Sequence, residues 1–161
     1  MIAETPFERL QDVGIALAMR ESLWLYPVVQ TLYILGFAVL VGSVVMFDLR
    51  LLGFSRRIPV RLLAAHLLPW SLGSLLLVVP AGLLLFLTEA DSLISNRAFV
   101  IKMILLMAAA GNATAFHLGT FRTAAAWDTT VAAPAAAKLH ALVSLLIWAA
   151  VIACGRAIAY V

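Results

Sequence analysis

The sequence predicts an all-α integral membrane protein, a four-helix bundle preceded by a short amphipathic surface helix. Three observations carry this. Of the 161 residues, 65% are hydrophobic and 12% charged, against roughly half and a quarter in a soluble domain. Four apolar runs each approach or exceed the ~20 residues a helix needs to cross a bilayer. Polar edges separate the runs, and the densest follows the first, where Asp48 precedes Arg50, Arg56, Arg57 and Arg61. So much apolar surface cannot be hidden in one small water-soluble core, and lipid is the simpler solvent. Residues 1–161 are expected to form a single membrane domain with no appended soluble domain.

The first element is the surface helix, expected over 5–21. Thr5, Pro6 and Glu8 make a helix start, with a T-x-x-E capping box and proline at the first helical position. Phe7, Leu10, Val13 and Leu17 recur at helical spacing opposite Glu8, Arg9, Gln11 and Asp12. The segment is too polar to span and should lie on the membrane surface. Its acids, and the absence of a basic start and an apolar core, argue against a signal peptide. Trp24 and Tyr26 follow, where interfacial aromatics sit.

The four spans are expected over about 23–47, 62–87, 98–118 and 135–158. Span 1 carries Ala38-x-x-x-Gly42, a small-residue pair suited to helix packing. Span 2 holds Pro69 and an interior Pro80, which removes a backbone hydrogen bond and predicts a kink; Gly73, Ala81 and Gly82 offer close-packing sites. It ends in the acidic stretch Thr88–Ser92. Span 3 contains Met107–Ala115 (MAAAGNATA), small enough to demand close helix contact, with Asn112 as a polar group that should bond to another helix. Residues 119–133 read as a polar, alanine-rich loop. Pro134 opens span 4, and its Cys154, the chain's single cysteine, reads as packing.

Four spans put both termini on one side. The two loops on the other side hold six of the eleven basic residues and two of the eight acids. The arginine cluster after span 1 is the best orientation marker, and it is expected in the cytoplasm with both termini outside. The net charge of +3 belongs to these loop ends and does not point to nucleic acid.

Chemistry, if any, is expected at three histidines. His66, His117 and His140 sit on separate spans at similar depth near the cytoplasmic end, each sharing a helical face with small or aromatic residues. Two of them could ligate haem b, with Arg57 and Arg61, together with Arg50, Arg122 and Lys138, as partners for its propionates. The same three could instead bind copper or zinc. Asp48, beside the arginines, reads as an interfacial salt bridge that pins the first loop. Tyr33 and Ser43 share a face of span 1. No nucleophile–base pair, phosphate loop or metalloprotease spacing is present, so hydrolysis is not expected.

Ser22–Pro27 (SLWLYP), then Gly42 and Asp48–Gly53 (DLRLLG), resemble an uncharacterised bacterial four-span membrane family, a domain of unknown function whose hallmark is the D-L-R-L-L-G run. Further matches are Pro69-Trp70…Gly73, Phe99…Lys102, Asn112, Ser144…Trp148 and Gly155-Arg156…Tyr160. The resemblance implies a multi-pass protein of the bacterial inner membrane and little about activity. It is loosely similar to copper-resistance and haem-carrying four-helix proteins. Members usually carry histidine where Tyr33 stands here. The sequence therefore favours a non-catalytic subunit or scaffold associating with another membrane protein or with itself. The alternatives are a haem b electron-transfer protein linked to quinone, and then a copper or zinc site.

Overall fold

The computed structural model describes residues 14–128 and 132–160. Its elements are α1 (Gly14–Glu21), α2 (Leu25–Leu52), α3 (Val60–Thr88), α4 (Ala90–Ser95), α5 (Arg97–Leu118), a 3-10 helix (Thr120–Ala126) and α6 (Ala135–Ala157), with no strand among the described residues. Helices α2, α3, α5 and α6 are long and apolar enough to cross a membrane. They are apolar all round, as helices bathed in lipid are. Leu76, Met107 and Leu146 are exposed by 80%, 74% and 71%, an outward surface that hydrocarbon can cover and water cannot.

The spans form a four-helix bundle with one open side. Helix α2 packs on α3 and α6, and α6 packs on α5, whereas the backbones of α3 and α5 stand apart. The α2–α3 seam is tight because Gly36 is buried, and a Cβ there would stand 2.9 Å from Val78 Cγ2. The expected Ala38/Gly42 pair does not make this contact. Both residues are exposed, and a Cβ at Gly42 would meet nothing within 4 Å. Ala38 lies two residues, or about 200°, from Gly36, which puts the pair on the outer face. On α3, Ala81 is buried and Gly82 lies under the Tyr33 ring, but Gly73 faces open space. The helix runs through Pro69 and Pro80 without ending.

Of the expected surface helix, residues 5–13 and the Thr5 cap lie outside the described residues. The described part does not simply lie on lipid. Ala16 and Met19 are fully buried, Met19 against Val29 and Ala81, and Arg20 Nε donates to the Thr88 carbonyl at 3.2 Å. The helix thus docks on the start of α2 and the end of α3. At this same end α4 replaces the expected acidic loop. Asn96 caps α5, accepting from Ala98 N at 2.9 Å and Phe99 N at 3.2 Å. Its amide also donates to Ile158 O, tying the start of α5 to the end of α6. Phe86 and Phe99 stack with centroids 5.7 Å apart, joining α3 to α5 at this end.

The opposite end is the more ordered by polar bonds. Helix α2 extends to Leu52, beyond the expected end at 47. It stops in a Schellman motif, with Gly53 N on Arg50 O, Phe54 N on Leu49 O, and Gly53 at φ +110°. Arg50 is 5% exposed and donates to three backbone carbonyls: Ile58 at 2.6 Å, Asp128 at 2.9 Å and Arg56 at 3.1 Å. Asp128 Oδ1 in turn accepts from Arg61 N at 2.9 Å, capping α3 from a distant segment. The stretch expected as a loose loop folds into the 3-10 helix. Ala124 and Trp127 are buried in one cluster with Leu51, Val60, Phe116, Ala137 and Ala141. Ala124, which looks like linker in the sequence, is the alanine packed here, whereas Ala125 and Ala126 are exposed.

Candidate functional site: a cleft between the spans

The gap between the backbones of α3 and α5 leaves a cleft of about 420 Å³ with walls from all four spans. The Phe86–Phe99 stack and the 3-10 helix, which touches both α3 and α5, bring these two helices together beyond its two ends without lining it. Its walls are mostly apolar, with Leu40, Val44, Leu67, Leu72 and Leu106 among them. Polar groups gather toward the 3-10 end: Asp48 from α2, Asn112 and His117 from α5, His140 and Ser144 from α6. Toward the other end is Tyr33, whose hydroxyl lies 3.2 Å from Lys102 Nζ.

Asn112 and His140 form a reciprocal pair. Asn112 Nδ2 donates to the His140 carbonyl at 3.0 Å, and His140 Nδ1 lies 2.8 Å from Asn112 Oδ1. A carbonyl only accepts, so the amide must face this way. His140 Nδ1 is then the donor, and in the neutral ring Nε2 carries the lone pair. His117 is fixed by the same logic, because Nδ1 stands 2.9 Å from the Ala113 carbonyl, which can only accept. Phe116 packs against both imidazoles, with centroids at 5.3 Å and 5.8 Å. The expected helix-to-helix bond of Asn112 is therefore present, and it orients a histidine.

The third histidine is elsewhere. His66 is exposed and absent from the cleft wall, as are Trp70 and Gly73, which share its face. The inward face of α3 is instead Ala64, Leu67, Ser71 and Ser74. Depth along the three helices was similar, but rotation about α3 was not inward. The expected trio does not assemble. Among the described residues no group of three or more histidine, cysteine or acidic side chains could hold a metal ion. Arg57 and Arg61 are exposed, while Arg50 is committed to the loop carbonyls.

Asp48 is the residue that sequence reasoning misplaced. It makes no salt bridge with the arginine cluster. It is 5% exposed, lines the cleft, and its Oδ2 has no hydrogen-bond partner. The hydrogen-bonding group that faces it is Ser144, from α6. The reason is helical phase. Asp48 lies two residues, or about 200°, from Arg50, so when Arg50 turns to the loop Asp48 turns to the bundle. Pinning the loop falls to Arg50.

A family model covers residues 24–161 and describes a family of unknown function (DUF6644). The chain belongs to this family. No curated protein and no solved structure matches it. In this DUF6644 chain four of the six positions of the D-L-R-L-L-G run have a physical reading. Asp48 enters the cleft, Arg50 ties the loop, Leu51 is 1% exposed in the core, and Gly53 takes the left-handed turn. The signal that could have found Asp48 is an acid at the end of a long apolar run, followed by the apolar Leu49, Leu51 and Leu52 at positions that continue the helix. Nothing in the sequence marks the Lys102–Tyr33 contact, which pairs residues 69 apart.

Proposed function

We propose that the protein is a non-catalytic four-span subunit of the bacterial inner membrane that seats a transmembrane helix of another membrane protein on α5. The supporting observation is the outer stripe of that helix. Ala108, Gly111, Thr114 and Ala115 are exposed, and a Cβ at Gly111 would meet nothing within 4 Å. Ala109 packs toward α6, and Ala110 and Ala113 line the cleft, so the stripe is left uncovered. In lipid, helices associate by close backbone approach over such residues. The cluster Arg50–Arg61 in the cytoplasm would place both chain ends outside. The test is photocrosslinking from positions 108 and 115 in native membranes. One dominant protein adduct, identified by mass spectrometry and abolished by Gly111→Leu, is expected. Adducts to lipid alone would refute the reading, and an adduct of doubled mass would replace the partner by a second copy.

A second reading has its own observation. His117 and His140 line one cleft, and each has Nδ1 held by an acceptor and Nε2 left to ligate. Metal-bound histidines are oriented in this way. Haem b held by this pair would have Arg57, Arg61 and Lys138 at the same end for its propionates. A reduced-minus-oxidised spectrum of protein made with ample haem tests it. A haem b band lost in His117→Ala and His140→Ala, and kept in His66→Ala, is expected. A flat spectrum ends this reading.

A further inference from the structure

We propose that the cleft binds a lipophilic primary amine, with the ammonium group on Asp48 and the apolar body between α3 and α5. This goes beyond the subunit reading and does not rest on it. The starting point is an imbalance. Asp48 is 5% exposed, it borders a space of about 420 Å³, and its Oδ2 has no partner. A buried carboxylate without a partner is costly, and a positioned donor relieves that cost. The protein supplies little of it. No lysine or arginine lines the cleft. Arg50, two residues away, spends its guanidinium on three carbonyls. Ser144 faces the carboxyl with one hydroxyl.

The remaining polar groups at this end are acceptors too. The Asn112 amide is spent on the His140 carbonyl, and its oxygen on His140 Nδ1. His117 Nδ1 is spent on Ala113 O. What each imidazole retains is the Nε2 lone pair. The site thus offers a carboxylate and two ring nitrogens, and its donors are neutral serine hydroxyls with no cationic group among them. The complementary group is rich in donors and positively charged. A primary ammonium has three N–H donors and one charge, and charge-assisted bonds to carboxylate are the strong kind. An alcohol would bring one donor and leave the carboxylate charge uncompensated. A carboxylate or phosphate head would meet Asp48 as a like charge.

The rest of the cleft sets the body of the ligand. Water alone would be poorly held by walls such as Leu40, Leu67 and Leu106, because each molecule needs two to four polar partners. An alkyl or aryl chain suits them. Since the backbones of α3 and α5 stand apart between the Phe86–Phe99 stack and the 3-10 helix, such a molecule can enter there from the bilayer without crossing a polar loop.

The experiment is isothermal titration calorimetry on the full chain in nanodiscs, with empty nanodiscs subtracted. The probes are 4-phenylbutylamine and 4-phenylbutanol, which share a skeleton. The amine is expected to bind saturably and about tenfold or more tighter than the alcohol. Asp48→Asn, nearly isosteric, should weaken the amine about tenfold and leave the alcohol within about twofold. Ser144→Ala, which keeps the carboxyl, should weaken the amine only a few-fold, by roughly the worth of one hydrogen bond. Equal affinity of amine and alcohol, no saturable amine binding, or amine binding unchanged in Asp48→Asn would each overturn the proposal. The wild-type comparison decides the matter even if Asp48→Asn does not assemble. Failure here leaves the α5 crosslinking result untouched.

Discussion

Arg50→Ala is the sharpest probe of what holds the loop end together. The guanidinium reaches Ile58 O, Arg56 O and Asp128 O at 2.6, 3.1 and 2.9 Å, from a side chain 5% exposed. A net hydrogen bond to a charged group contributes about 1.5–3 kcal/mol. Three would give roughly 4.5–9 kcal/mol, but Ile58 and Arg56 are exposed and water can satisfy their carbonyls once the arginine is gone. The full loss then applies to the Asp128 bond and a fraction to the others, so about 3–5 kcal/mol is expected, within the range for breaking a buried charged contact. Arg50→Lys keeps the charge but not the planar fork, and should lose about half of that. Asp128→Ala removes only the cap on Arg61 N, because Arg50 bonds the backbone oxygen, and should cost about 1 kcal/mol. Denaturant titration of purified protein gives the energies, and limited proteolysis within 53–59 reports the loop directly. If Arg50→Ala costs under about 1 kcal/mol, or if Asp128→Ala costs as much as Arg50→Ala, the three-carbonyl account is wrong.

Two further outcomes follow from the packing. Gly36→Ala should destabilise the protein by about 1–3 kcal/mol, as overpacking does, because Val78 Cγ2 is 2.9 Å from the new Cβ and belongs to a stiff β-branched side chain. Gly42→Ala, facing nothing within 4 Å, should be neutral or slightly stabilising in the same titration. Asn112→Ala removes both bonds of the Asn112–His140 pair. At about 0.6–1.7 kcal/mol per interhelical polar interaction in a membrane, it should lower stability by roughly 1–3 kcal/mol. It should also broaden the His140 ring signals in NMR, since the bond that selects its tautomer is gone; unchanged ring signals would contradict the pairing.

Much of the fold was legible because span length is set by bilayer thickness. The four spans begin and end within a few residues of their expected places, with the greatest error at Leu52, where an acid and an arginine looked like a loop. Which face of each span points inward was far less legible. Lipid and protein interior are equally apolar, so hydrophobic periodicity carries almost no phase information here. This is why Ala38/Gly42 stood in for Gly36, and why His66 seemed to join two histidines from which its helix turns it away. Phase was read correctly where a polar group forces it, as at Asn112 and His140. It was misread at Asp48, where the neighbouring arginines suggested a partner on the wrong side of the helix.

The Asp128 tie has a consequence for how the chain is made. Arg50 and the start of α3 both depend on a residue that lies beyond α5, almost 80 positions downstream of the arginine. The first hairpin, α2 with α3, therefore leaves the insertion machinery with its loop only half bonded. It is completed when the 3-10 segment arrives and lies down across it, between the two hairpins. The loop beneath the first hairpin is thereby closed only once the chain beyond α5 is in place.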